Sequence, residues 1–193
     1  QMLTADFDDL YQKHFTEIFI HCYRIVRNKQ DAEELSNEAF VKAYFKRDQF
    51  DEKKGSFRSW IFTIATHLAF DFIDSADQKR QKQTNSLDDI IYLANDRPLP
   101  DEHSEQEQLL KFINDCLNQL NNKNRIAISL RHLQDFTLQE IAKILGLKSH
   151  NAARKRIIAG EKKLKKCLER KGIEDYLSWK LNYLIEYDFV RLN

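Results

Sequence analysis

The stretch FTLQEIAKILGLKSHNAARKRI, Phe136 to Ile157, decides the fold of the second half of the chain. Thr137 followed three residues later by Glu140 is a capping-box pattern, which opens a short helix by satisfying two backbone N–H groups reciprocally. Leu138, Ile141, Ala142 and Leu145 then fall on one helical face. Small Ala142 lets a second helix approach, and Gly146 suits the left-handed conformation of a tight helix-to-helix turn. Beyond the turn, Arg154, Lys155 and Arg156 stand where a helix in a DNA major groove meets phosphates and guanine edges. The layout predicts a helix-turn-helix. A basic run by itself is more often a solvated helix face, but this one follows the turn directly.

Outward from this motif, Ser149 to Lys171 carries Arg154, Lys155, Arg156, Lys162, Lys163, Lys165, Lys166, Arg170 and Lys171 against only Glu161 and Glu169. The formal net charge of the whole chain is only +1, and Phe72 to Ser104 is by contrast acidic in balance. Upstream of the motif, Leu109, Leu110, Ile113, Cys116, Leu117 and Leu120 form one helical stripe, and Arg125 to Leu133 another. Between Gln78 and Ser104 the periodicity fades and both prolines, Pro98 and Pro100, occur; this predicts a linker with a short helix around Leu87 to Leu93. Three amphipathic helices are predicted before it. The first spans Phe7 to Ile25, the second starts at a capping Asp31 and runs through Leu35, Phe40, Val41 and Tyr44, and the third is capped by Ser56. The expected architecture is all-α: a helical domain over 1–77, a linker over 78–104, a helix-turn-helix domain over 105–171 and an aromatic extension over 172–193.

Composition narrows the function classes. In 193 residues there are 4 Gly and 2 Pro, too few for turn-rich barrels or glycine-rich phosphate cradles. No run approaches the roughly 20 apolar residues of a membrane span, and Asp6, Asp8 and Asp9 follow Met2 in place of a signal segment. A cytoplasmic chain without membrane insertion is expected. Cys22, Cys116 and Cys167 are widely separated and lack metal-ligand spacing, so they read as reduced thiols and no metal is expected. No catalytic triad order, HExxH, P-loop or dinucleotide fingerprint occurs. The expectation is a protein without cofactor or catalytic residues, not an enzyme.

NKNRIAISLRHLQDFTLQEIAKILGL, followed by RKRI and EKKLKKCL, resembles region 4 of the extracytoplasmic-function sigma factors. DAEELSNEAFVKAYF resembles their region 2.2, and FDEKKGSFRSWIFTIATHLAFDFI their regions 2.3 and 2.4. The order of the two motifs, on either side of a polar linker, is more specific than either alone. The resemblance implies a transcription initiation factor that binds RNA polymerase core, directs it to promoter DNA and helps to melt the minus-10 region. Its implied partners are the beta-prime clamp helices, the beta flap, promoter DNA and an anti-sigma protein. Asp31, Glu34 and Glu38 share one helix face beside Leu35 and Phe40, and the resemblance assigns these five to the clamp. It assigns Arg58, Trp60, Thr63, Thr66, His67, Lys79 and Arg80 to minus-10 DNA, although Trp60 with Phe57 equally fits an aromatic core stripe. Arg131, Lys148, His150, Asn151, Arg154, Lys155 and Arg156 fall to the minus-35 element. Opening DNA this way needs binding energy for unstacked bases and no hydrolysis.

The chain departs from the family pattern where DNA is expected. Asp74 and Asp77 precede Lys79 and Arg80 where the family runs into basic residues, and carboxylates there repel phosphates. His67 replaces an asparagine, Ile158, Ala159 and Gly160 stand where a basic residue is usual, and the turn is one residue longer. Two readings stay open. One is a normal sigma factor with an unusual promoter and its tail packed on its own second domain. The other delegates placement to a DNA-bound or guided recruitment partner that docks on the tail or recognition helix. A rival from another class, a helix-turn-helix regulator without core-polymerase binding, needs a doubly wound phosphorylatable domain upstream, and Phe7 to Ile73 has no strand alternation.

Overall fold

The computed structural model describes residues 4–83, 112–113, 115–170 and 172, and all regular structure among them is helical. The expected helix at Leu87 to Leu93 and the aromatic extension from Glu174 lie outside the described residues.

Three helices form the first unit: α1 (Thr4–Val26), α2 (Lys29–Phe45) and α3 (Phe57–Gln83). Arg27 turns the chain through a left-handed φ of 61°, and the Asn28 side chain then accepts from the Asp31 backbone N–H. Asn28 is therefore the cap of α2. Asp31, expected in that role, sits in the first turn, where its carboxylate faces the positive end of the helix dipole. Two 3-10 turns, Arg47–Gln49 and Glu52–Lys54, lead to Ser56, which caps α3 as expected by accepting from Ser59 N at 3.1 Å. Helix α3 runs to Gln83, beyond the expected domain end at 77, because QKRQKQ contains good helix formers and no Pro or Gly. Phe7 ties the unit together, its ring edge-on to Phe40, Tyr44 and Phe57 at centroid distances of 6.4, 5.3 and 6.0 Å.

The second unit contains α4 (Asn122–His132), α5 (Leu138–Ile144) and α6 (His150–Glu169), with residues 115–118 helical ahead of them. Asn121 caps α4, Thr137 and Glu140 form the complete capping box of α5, and Ser149 caps α6. Gly146 takes φ 60° in the turn. Gly160, a departure in sequence terms, has a packing reason: a Cβ there would lie 2.7 Å from Ile128 Cδ1. Only a bare Cα lets α4 and α6 cross this closely.

Cys116 and Cys167 are disulfide-bonded, with Cα atoms 5.6 Å apart, which corrects the expectation of three reduced thiols. A separation of 51 residues concealed the pairing, since only the crossing of residues 115–118 with the end of α6 brings them together. Cys22 is free and buried, and burial pushes its thiol up to about 11.

The two units share one continuous apolar core. Ile18, Ile61 and Phe62 of the first belong to the same buried cluster as Leu130, Phe136, Ile141 and Ile157 of the second. Phe62 meets Phe136 edge-on at 4.9 Å.

Candidate functional site

Helix α2 turns Ala32, Leu35, Ser36, Ala39, Phe40 and Ala43 inward. Leu35 and Phe40, expected on the acidic face, are thus core residues; Phe40 packs against Tyr11 at 4.8 Å. Glu34 and Glu38 are exposed and Asp31 is half-buried. Glu38 pairs with Lys42 at 2.9 Å, and Glu34 accepts a hydrogen bond from Gln30 Nε2 at 3.3 Å. The apolar members of this surface are Val41, 53% exposed, and Phe45, 77% exposed. Sequence reasoning missed both as surface residues, although they lie off the inward stripe in the sequence pattern. Beside them Arg47 covers the Tyr44 ring at 4.4 Å. The result is an acidic helix face ending in two exposed apolar side chains, a chemistry that fits a basic, partly apolar helix better than a phosphate backbone.

The residues expected on minus-10 DNA lie along α3, and the second unit covers part of them. Arg58 donates from Nε to Glu17 at 2.9 Å and from its two terminal nitrogens to the Gln134 carbonyl and side-chain oxygens at 2.9 and 2.7 Å. Its guanidinium also lies over the Phe136 ring at 4.4 Å. Trp60 is half-buried against Phe50 and Phe57, as the core reading of the aromatic stripe expects. Thr63, also half-buried, donates to the Ser59 carbonyl at 2.8 Å. His67 is exposed, its Nε2 3.6 Å from where a Cβ on Gly146 would stand. Lys79 and Arg80 belong to the last turns of α3.

Thr66, expected on minus-10 DNA, is fully buried and reaches no surface in this arrangement. Its hydroxyl donates to the Phe62 carbonyl at 2.6 Å and therefore accepts from His21 Nε2 at 2.8 Å. That assignment leaves His21 Nδ1 as an unprotonated acceptor, and this atom is buried without a hydrogen-bond partner. Burial, followed by the charges of Arg24 and Arg58, holds the His21 imidazole down at about 3.

Further contacts cross between the units. Arg24 donates to Ser129 Oγ at 3.2 Å, Arg125 to the Arg24 carbonyl at 3.1 Å and Lys143 to the Lys54 carbonyl at 2.8 Å. Arg125 is lowered to about 10, first by burial and then by the neighbouring Arg27 charge. The helix-turn-helix therefore rests on the face of α1 and α3 that carries Arg58 and His67.

On α6 the outward residues are His150, Asn151, Arg154 and Lys155, with Arg156 half-buried and Lys148 exposed in the preceding turn. These six form one cationic end of the helix-turn-helix. Arg131 stands apart from them: it is exposed but donates to the Phe136 carbonyl at 3.2 Å, closing the loop before α5. One turn beyond Arg154, Ile158 projects from the same face and is 51% exposed.

The sequence matches Sigma-70 region 2 over residues 10–79 and Sigma-70 region 4 over residues 113–157. It is 30% identical over 169 residues to the ECF RNA polymerase sigma factor SigW of Bacillus subtilis, covering 85% of this chain and 88% of that protein. The ECF RNA polymerase sigma factor SigX of the same organism is 28% identical over 140 residues, covering 72% of each. Among solved structures, the sigma factor RpoE in complex with the anti-sigma factor NepR from Bartonella quintana has a similar fold, with a TM-score of 0.69, 19% identity and coverage of 86% of this chain and 98% of that one. CnrH in complex with the cytosolic domain of CnrY follows at a TM-score of 0.61 and 21% identity, covering 87% and 90%. Two matched regions in one order, on helices arranged as in these relatives, leave one conclusion: the chain belongs to the extracytoplasmic-function group of the sigma-70 family.

Proposed function

We propose that this transcription initiation factor grips the beta-prime clamp helices of RNA polymerase core through the outer face of α2, using Asp31, Glu34, Glu38, Val41 and Phe45. The observation that carries the assignment is Phe45, which leaves 77% of its surface in water beside the carboxylates. An exposed aromatic next to a charged rim is the arrangement of an interface hot spot. Leu35 and Phe40 contribute by fixing the helix from inside. The test is co-purification with core polymerase of the wild type, Glu38→Lys and Phe45→Ser; both variants are expected to lose binding while keeping their helical content. Retention by both would refute the assignment.

Arg58, Trp60, Thr63, His67, Lys79 and Arg80 are the proposed minus-10 contacts, with Thr66 acting through His21 as a positioning residue. Lys148, His150, Asn151, Arg154, Lys155 and Arg156 are the proposed minus-35 contacts, which Arg131 supports through the Phe136 carbonyl. Because Gln134 occupies Arg58, full minus-10 contact requires the units to separate. The factor acts in the cytoplasm by binding alone, without a reaction of its own. Since RpoE was solved with the anti-sigma factor NepR, an anti-sigma protein that keeps the units together is a fitting regulator here too.

A second reading rests on exposed Ile158 and Asp74. The first puts an apolar side chain in the DNA-facing row, and the second puts a carboxylate after the minus-10 helix segment. Both weaken phosphate binding and favour promoter placement shared with a DNA-bound or guided protein. Strong, accurate initiation by purified core and this chain alone would remove that reading.

A further inference from the structure

We propose that Cys116 and Cys167 are a reversible thiol–disulfide site, oxidised by hydrogen peroxide, that sets the stability of the DNA-reading unit. Two observations and the proposed function carry it. The bond joins residues 115–118 to the last turns of α6, the helix whose first turns present Asn151 and Arg154. Its two cysteines line an open cleft of about 180 Å³ together with Lys163, Lys166 and Arg170. The proposed function places the chain on RNA polymerase in the cytoplasm, where glutathione and thioredoxin keep thiols reduced. A disulfide formed there is typically transient and redox-sensing.

The local chemistry separates this pair from the third cysteine. Cations beside a thiol favour the thiolate, which is the nucleophile, whereas an apolar setting suppresses it. Cys167 is half-buried on the rim of the cationic cleft; Cys116 is buried behind it. Cys22 lies in the apolar core and stays a thiol. The Cys167 thiolate attacks the peroxide oxygen, the O–O bond breaks, and with one proton the products are a Cys167 sulfenic acid and water. The Cys116 thiol then displaces hydroxide from the sulfenic sulfur, forming the disulfide and a second water. Two electrons have passed from the sulfurs to the peroxide, and a dithiol returns them by exchange.

The consequence follows from chain topology. The bond closes a loop of 51 residues and so restricts the unfolded chain. It ties together a small satellite core of Ile113, Leu120, Ile128, Leu164 and Leu168. Reduction leaves that cluster held by apolar packing alone, and oxidation staples the far end of the recognition helix.

The test uses the full chain, reduced and kept oxygen-free, then treated with one equivalent of hydrogen peroxide. Thiols titrated after denaturation are expected to fall from three to one, with a peptide cross-link between Cys116 and Cys167 and with Cys22 still free. The melting temperature of the oxidised protein should exceed that of the reduced protein by roughly 10 °C or more. Dithiothreitol should reverse the shift, and Cys167→Ser should show none. Lys166→Glu should slow cross-linking several-fold by withdrawing a cation from the thiolate. Conversion of either cysteine to sulfinic acid without a cross-link, or equal melting temperatures in the two wild-type states, would overturn the proposal.

Discussion

Replacing Arg58 with methionine keeps an unbranched stem and removes every donor that joins α3 to the loop after α4. Two hydrogen bonds to Gln134, at 2.9 and 2.7 Å, and one to Glu17 at 2.9 Å are lost together. The Arg58 and Glu17 side chains are 31% and 24% exposed, so water competes for these contacts and only part of their gross strength counts. Charge-assisted hydrogen bonds contribute about 1.5 to 3 kcal/mol each when well shielded. Allowing for that competition, Arg58→Met should lower unfolding free energy by about 3 kcal/mol. Gln134→Ala deletes only the side-chain acceptor at 2.7 Å and keeps the main-chain carbonyl, for a loss of about 1.5 kcal/mol. The double variant should lose less than the sum, leaving a coupling of about 1 to 2 kcal/mol between residues of different units. Urea unfolding of the wild type, both single variants and the double variant measures it. Additivity to within about 0.3 kcal/mol would mean that Arg58 does not bridge the units in solution, and the reasoning would fail.

His21 has a second test, in pH. Its folded-state pKa of about 3 lies below the ordinary imidazole value of 6.5, so the unfolded chain binds the proton more readily. Stability is therefore full above about pH 6.5 and falls as pH drops, by roughly 1.4 kcal/mol per pH unit from this group, until the folded value is reached. His21→Gln should flatten that slope between pH 6 and 4 in thermal melts, and an unchanged slope would refute the assignment. Gly160→Ala should destabilise by about 1 to 3 kcal/mol despite alanine's better helix propensity, because Ile128 Cδ1 occupies the needed space at 2.7 Å. Trimming that contact with Ile128→Val should recover part of the loss in the double variant. Arg154→Ala should weaken promoter binding and reduce the slope of log affinity against log salt by about 1 if the guanidinium neutralises a phosphate. Titrations by fluorescence anisotropy at several salt concentrations would read it, and an unchanged slope with unchanged affinity would remove Arg154 from the interface.

Local signals were legible in the sequence, and long-range ones were not. The capping box at Thr137, the left-handed Gly146 and the cap at Ser56 depend on neighbours within a few residues, and all three are formed. The inward stripe of α2 depends on helical phase over several turns. A small error there put Leu35 and Phe40 outside and overlooked Val41 and Phe45. Asn28 displaced Asp31 as cap because both residue types cap well and periodicity alone does not separate them. The disulfide, the close approach at Gly160 and the hold of Gln134 on Arg58 need the tertiary crossing itself. Sequence spacing carries none of these.

The most direct test of the central claim is the affinity of the purified chain for purified RNA polymerase core, measured with a label on the chain and no DNA present. A saturable one-to-one complex that Glu38→Lys and Phe45→Ser each weaken at least tenfold is the predicted result. Absence of a complex with the folded wild type would contradict the account at its base.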